Sequence, residues 1–139
     1  MKTSKDPTPG ITWSRTKPIQ PEELQALLRQ TDWARERSLE GLEEMLSATA
    51  VVVGAWRGER LVGFARALTD GVYRALVDDV IVDESERGRG VGDGLVRQLL
   101  DRLDGVEAIL LRCAEDVVPF YERHRFQRAR SVVMNYKKG

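Results

Sequence analysis

The residues best suited to chemistry by type and spacing lie between Val80 and Gly94. Val80-Ile81-Val82 is an apolar run, Asp83-Glu84-Ser85-Glu86 turns it, and Arg87-Gly88-Arg89-Gly90-Val91-Gly92-Asp93-Gly94 sets glycine at every second position beside two arginines. Glycine lets successive backbone N–H groups converge without a Cβ in the way, and a helix beginning there adds partial positive charge. The layout is an anion cradle, suited to a phosphate or pyrophosphate. Two users of such loops are excluded by spacing. No lysine follows the glycines as G-x-x-x-x-G-K-[ST] requires, and G-x-G-x-x-G fails in both registers, reaching Asp93 in one and Leu95 in the other. What is present is R-x-x-G-x-G, filled by Arg87, Gly90 and Gly92. A plain strand-to-helix turn needs only one or two glycines, and each one inside a helix costs roughly 0.8–1.0 kcal/mol relative to alanine. Four in alternation argue for close backbone approach to an anion.

The elements that must hold this loop follow from periodicity. Ile11 to Thr16 reads as a short strand ended by Pro18, and residues 1–10 as a flexible tail ahead of a single domain over 11–139. Gln20-Pro21-Glu22-Glu23 opens a helix with Leu24, Leu27 and Leu28 on one face; a second begins near Ser38 with Leu39, Leu42, Met45 and Leu46. Ala50–Trp56, Leu61–Leu68 and Tyr73–Val82 read as three strands joined by tight turns. After the loop, Val91 to Leu103 is a helix with Leu95, Leu99 and Leu103 stacked. Ala108–Cys113 is a strand expected parallel to Val77–Val82, since a helix connects them. Asp116 is typed to cap a last helix carrying Val117, Phe120 and Tyr121, and Ser131–Tyr136 reads as a closing strand.

The loop at the end of a strand resembles the acetyl-CoA signature of the GNAT N-acetyltransferase superfamily, and the element order β-α-α-β-β-β-α-β-α-β is similar to that family's. Phe120-Tyr121 through Arg125-Phe126 also looks like its F-Y-x-x-x-G-F helix, with Arg125 where glycine is usual. Ala114 stands about where the family often has asparagine. The resemblance implies an α/β mixed fold: a mostly antiparallel sheet with a splayed parallel strand pair and helices on both faces. It implies acetyl-CoA as cosubstrate, with the main chain of Val80, Ile81 and Val82 pairing with pantetheine. Gly88, Arg89, Gly90, Val91, Gly92 and Asp93, beside Arg87, would hold the pyrophosphate. Tyr121 matches the tyrosine that donates a proton to the CoA sulfur in many members.

Acetyl transfer to an amine also needs a base, because a lysine-like amine with pKa about 10.4 is mostly protonated at neutral pH. Asp78 and Asp79 interrupt the apolar strand before the loop, and alternation sends them to opposite faces. One is expected to face the cleft as the base; a salt bridge or sheet-edge charge accounts for either equally well. Similarity to plastid-type members that acetylate arylalkylamines matches Asp79 and makes it the preferred base. The resemblance also implies an acceptor side built by the first two helices and the loops beside them, where Trp33 and Tyr73 with Asp32 and Glu36 would suit a small cationic amine through stacking, cation–π contact and charge pairing. The implied reaction is direct attack of a small primary amine on acetyl-CoA in a ternary complex. A non-catalytic acyl-CoA-binding module, or an enzyme acting on protein or peptide amines, are the alternatives.

Composition bounds the rest. The 139 residues carry 22 basic and 22 acidic side chains, so nothing in the bulk charge favours nucleic acid or an anionic membrane. Arg123, Arg125, Arg128 and Arg130 form a local cluster, read as a solvated face or a partner for the CoA 3′-phosphate. One cysteine, Cys113, fits a reducing compartment and reads as a small buried hydrophobe; with His124 the only histidine, no metal site is expected. No signal peptide or membrane span is read, and a cytoplasmic monomer or homodimer is the expectation.

Overall fold

The structure, a computed structural model, describes residues 8–139. Residues 1–7 of the expected tail lie outside the described residues. Thr8 to Gly10 form a turn into the sheet: the Ile11 amide donates to the Thr8 carbonyl at 3.1 Å, and the Thr8 hydroxyl donates to the Arg89 carbonyl of the glycine loop.

The chain runs β1 (Ile11–Ser14), α1 (Pro21–Leu28), α2 (Leu39–Ala48), β2 (Val51–Arg57), β3 (Arg60–Thr69), β4 (Arg74–Val82), α3 (Val91–Arg102), β5 (Ala108–Leu110) and α4 (Val118–Glu122). Short 3-10 turns at Glu84–Glu86 and Glu115–Val117 precede α3 and α4. The strands lie in the order β1-β2-β3-β4-β5, antiparallel except for the parallel pair β4 and β5. This is the expected mixed α/β sheet with helices on both faces.

Each helix packs where its apolar stripe dictates. Leu24, Leu27 and Leu28 of α1 and Leu42 of α2 meet Trp56, Phe64 and Ile81 on one side of the sheet. Val91, Leu95 and Leu99 of α3, with Leu103 just beyond it, cover Val53, Ala55, Val62, Ala65 and Val77 on the other. Fully burying a leucine, valine or phenylalanine side chain stabilises by about 1.5–3 kcal/mol, so these two layers are what hold the sheet as a platform. Ser38 caps α2, its hydroxyl accepting from the Gly41 amide at 3.0 Å.

Three expectations are corrected. No strand forms at Ser131–Tyr136: Val132, Val133, Met134 and Tyr136 are exposed, and the segment is tethered only at its edge, where Arg112 donates to Asn135 at 3.0 Å. The strand after α3 is three residues long, and it pairs with Arg74–Leu76 instead of Val77–Val82. Asp116 caps nothing; the residue ahead of α4 is Val117, with no side-chain cap. No helix among the described residues is long and apolar enough to cross a membrane.

Candidate active site

Beyond Leu76 and Leu110 the parallel pair parts. Val77 to Val82 on one side and Leu111 to Ala114 on the other then diverge around a cavity of about 1130 Å³. The glycine loop and the start of α3 close one end of this slot, Phe120 and Tyr121 stand over it, and Gln30 to Trp33 border the other end.

The glycines do different work. Gly88 and Gly90 have φ of 76° and 89°, a region that L side chains rarely adopt, and Gly90 is the residue that starts α3. With glycine there, no side chain caps the helix, so the orphan amides of Val91, Gly92 and Asp93 stay available to a guest. At Gly92 an added Cβ would sit 3.3 Å from the Phe120 ring, so its smallness lets α4 close over the loop. Gly94 is not part of the cradle: a Cβ there would overlap the Trp13 indole, whose Nε1 donates to the Val91 carbonyl at 3.1 Å. Among the described residues no group of three metal-ligating side chains forms.

The acidic turn before the loop is rigidly held. Glu86 is 3% exposed and accepts from Arg57 Nε at 2.6 Å and Nη2 at 2.9 Å. The Arg57 hydrogen bonds hold its carboxyl below the usual range. Arg87 lines the slot and donates back to the Val82 carbonyl at 3.1 Å. Arg89 does not line it; its guanidinium lies 3.9 Å from Glu86.

The aspartate pair departs from strand alternation. Arg66 pairs with Asp78 and Phe64 with Ile81, so β4 carries one residue more than β3 at this point. Asp79 takes up the bulge at φ 50°, and its amide donates to the Asp78 carboxylate at 3.0 Å. Both carboxylates therefore come within reach of Arg66 and both border the slot. Asp79, 4% exposed, accepts from Arg37 at 2.7 Å, Arg66 at 2.8 Å and Trp33 Nε1 at 3.1 Å. Burial alone would raise its pKa, but the two guanidiniums outweigh it and the carboxyl is held below its ordinary value. A carboxylate in that state is a poor proton acceptor. Asp78, more open, accepts from the Asp79 amide and has a single guanidinium beside it, Arg66 at 3.5 Å.

Tyr121 borders the slot beside Cys113. Burial chiefly, then the Cys113 and Asp78 charges, push its phenol up to about 12. It keeps its proton throughout the neutral range. Cys113 is exposed to the slot instead of buried in the core, and burial with the neighbouring Glu115 pushes its thiol up, away from thiolate character.

Of the other expected site residues, Val80, Val82 and Trp33 border the slot, and Trp33 is 60% exposed with its ring free for contact. Ile81 turns its side chain into the α1–α2 core. Tyr73 does not line the cavity: the Asp70 carboxylate accepts from the amides of Val72, Tyr73 and Arg74, a turn that leaves Tyr73 exposed away from the slot. Sequence reading missed Arg37, Arg66 and Arg57, the partners of the buried acids, because each comes from a distant element. The usable signal was the acids themselves, since a carboxylate in an apolar strand demands a paired charge. His124, just past the end of α4, is mostly covered and bonds Asp93 Oδ1 at 2.7 Å.

A model described as the Acetyltransferase (GNAT) family matches residues 13–126. An uncharacterized N-acetyltransferase, ycf52-like, of Prochlorococcus marinus is 30% identical over 118 residues, covering 81% of this chain and 65% of its own. This chain thus spans slightly less than two thirds of that relative. A GNAT family acetyltransferase of Streptococcus pneumoniae TIGR4 is 25% identical, superposes with a TM-score of 0.76, and is covered over 91% of this chain and 99% of that one. An aminoglycoside 6′-N-acetyltransferase solved with coenzyme A is 28% identical with a TM-score of 0.62, over 72% of this chain and 60% of its own.

Proposed function

The chain belongs to the GNAT family of acetyltransferases, and from that membership we propose that it moves an acetyl group from acetyl-CoA to a small primary amine by direct attack within the slot. The observation that carries the reading is the parting of β4 and β5 between an uncapped helix start at Gly90–Asp93 and the protonated phenol of Tyr121. The residues present fit the cosubstrate. Gly88 and Gly90 turn the backbone, Gly92 removes a Cβ under Phe120, and Asp93 has its charge engaged by Arg123 and His124.

Bound acetyl-CoA would supply the activated acetyl group as a thioester. The amides of Val91, Gly92 and Asp93, with Arg87, hold the diphosphate; main-chain groups of Val80 to Val82 face the pantetheine arm. Tyr121 donates a hydrogen bond at the sulfur, and because its phenol is weakly acidic it can serve across the whole neutral range. Asp78 is the better placed carboxylate to take the amine proton, directly or through water, since the lone pairs of Asp79 are engaged. Asp79 instead fixes Trp33, whose exposed ring offers a platform for an aromatic or cationic amine. The single cysteine suits a reducing compartment; we place the reaction in the cytoplasm, in a monomer or homodimer.

The test is a thiol-release screen with acetyl-CoA against arylalkylamines, polyamines, amino acids, aminoglycosides and peptides. Small primary amines are expected to turn over, and Tyr121→Phe to lower kcat about 100-fold or more while leaving acetyl-CoA affinity near wild type. Activity confined to peptide N-termini would overturn the acceptor class. Acetyl-CoA binding with no turnover on any amine would mark a binding module.

A further inference from the structure

We propose that His124 is a positioning residue: by holding Asp93 it latches the helix that carries Tyr121 onto the helix start that faces the diphosphate. The inference rests on the acetyl-CoA reading given above. Asp93 is the third residue of α3, in the turn whose amides are uncapped. His124 Nε2 lies 2.7 Å from Asp93 Oδ1, and Arg123 Nη2 donates to the same oxygen at 3.0 Å. The His124 side chain is 8% exposed whereas that of Arg123 is 60%, so the histidine bond is the sheltered one and the arginine pair is weakened by solvent.

The far end of the latch is the proton donor. His124 donates its own amide to the Tyr121 carbonyl at 2.9 Å, one turn away, and its ring packs 5.2 Å from that of Phe120. Phe120 in turn lies against Gly92. The need for such a latch comes from α4 itself. It is five residues long and buries none of them fully, and its link to the core runs through the Tyr121–Phe126 ring contact, so the core alone holds it lightly. A bond from imidazole Nε2–H to a carboxylate exists with the ring neutral or protonated, so the latch needs no change of charge. It also resolves an electrostatic conflict. A free carboxylate among amides meant for an anion would compete with that anion; engaged by two donors, Asp93 becomes an anchor instead.

The phenol of Tyr121 is thereby set against the slot by the same turn that receives the diphosphate. Misplacement of a reacting group by about 1 Å can cost roughly 100-fold in rate. The experiment uses the full chain with acetyl-CoA and tryptamine, or the best amine of the screen. His124→Ala is expected to lower kcat about 10- to 100-fold, with the acetyl-CoA Kd, measured by calorimetry, moving less than about threefold. His124→Gln, which sets an amide nitrogen near the Nε2 position, should recover most of that kcat. Asp93→Ala should show the same loss, and the double variant His124→Ala with Asp93→Ala no further loss, as for two halves of one interaction. Should His124→Ala not fold, Asp93→Ala breaks the bond from the other side and carries the same expectation. Wild-type kcat in a folded His124→Ala or Asp93→Ala, losses that multiply in the double variant, or a loss found wholly in Kd would overturn the latch. Failure of the wild-type chain to bind acetyl-CoA would instead remove the reading beneath it.

Discussion

Asp78 and Asp79 are neighbours in sequence, and one extra residue in β4 gives them different surroundings. Their presence was legible in the sequence because two acids in an apolar strand stand out; their different partners were not, because strand alternation has no way to anticipate a bulge. Breaking a buried ion pair by removing one partner costs roughly 3–5 kcal/mol. Arg37 is about one third exposed, which places Asp79→Asn near the lower end. We expect Asp79→Asn to lower stability by about 3 kcal/mol in urea denaturation at neutral pH, and Asp78→Asn to stay within about 0.5 kcal/mol of wild type while lowering turnover. The pH dependence fixes the sign. The folded Asp79 carboxyl has a pKa below its ordinary 3.8, so the unfolded chain binds the proton first as pH falls. Its contribution is complete above roughly pH 5 and is lost on acidification below about pH 4, through the folded pKa. The gap between wild type and Asp79→Asn should therefore narrow in acid and hold constant from about pH 6 to 8. A gap that widens in acid would mean that Asp79 is not held by its arginines.

At the scale of elements, periodicity located four helices and five strands, and it failed where a partner decides the outcome. Ala108–Cys113 and Ser131–Tyr136 are both short apolar runs of strand type; the first pairs over three residues and the second over none. Apolar content shows that a segment can pair, not that an edge is within reach. The glycine loop shows the opposite limit, since four glycines at one spacing serve three purposes. Gly94 gives the sharpest test. Helix propensity alone favours alanine there by about 1 kcal/mol, while forcing a methyl into a packed site costs about 1–3 kcal/mol. The overlap with Trp13 is with a rigid ring tethered to Val91, so the steric cost wins. Gly94→Ala is expected to lower Tm by several degrees in calorimetry, and Trp13→Leu in the same chain to restore part of it. A raised Tm in Gly94→Ala would show that β1 and α3 are not packed as closely as described.

For the molecule as a whole, the fold was legible because its local signals agree, and the turn at the glycine loop because glycine spacing is a backbone property that sequence states directly. The residues expected on the acceptor side were less legible: Trp33 borders the slot and Tyr73 does not, a difference set by the Asp70 turn rather than by residue type. Strand order along the chain matches strand order across the sheet. β2, β3 and β4 join through tight turns, so their ladders close short loops at small entropic cost, whereas β5 is reached only across the length of α3 and gains three paired residues. The slot lies on that last and thinnest seam. The molecule should therefore breathe there first, with amide hydrogens of β5 exchanging faster than those of β2 and β3. A ligand present at 100 times its Kd adds about 2.7 kcal/mol to the closed form. Acetyl-CoA should slow exchange at the seam by up to roughly 100-fold, and uniform exchange across β2 to β5, with or without acetyl-CoA, would contradict this order of opening. In the proposed complex, the same parting of strands that makes room for a ligand thus makes the ligand the missing rung that closes the sheet.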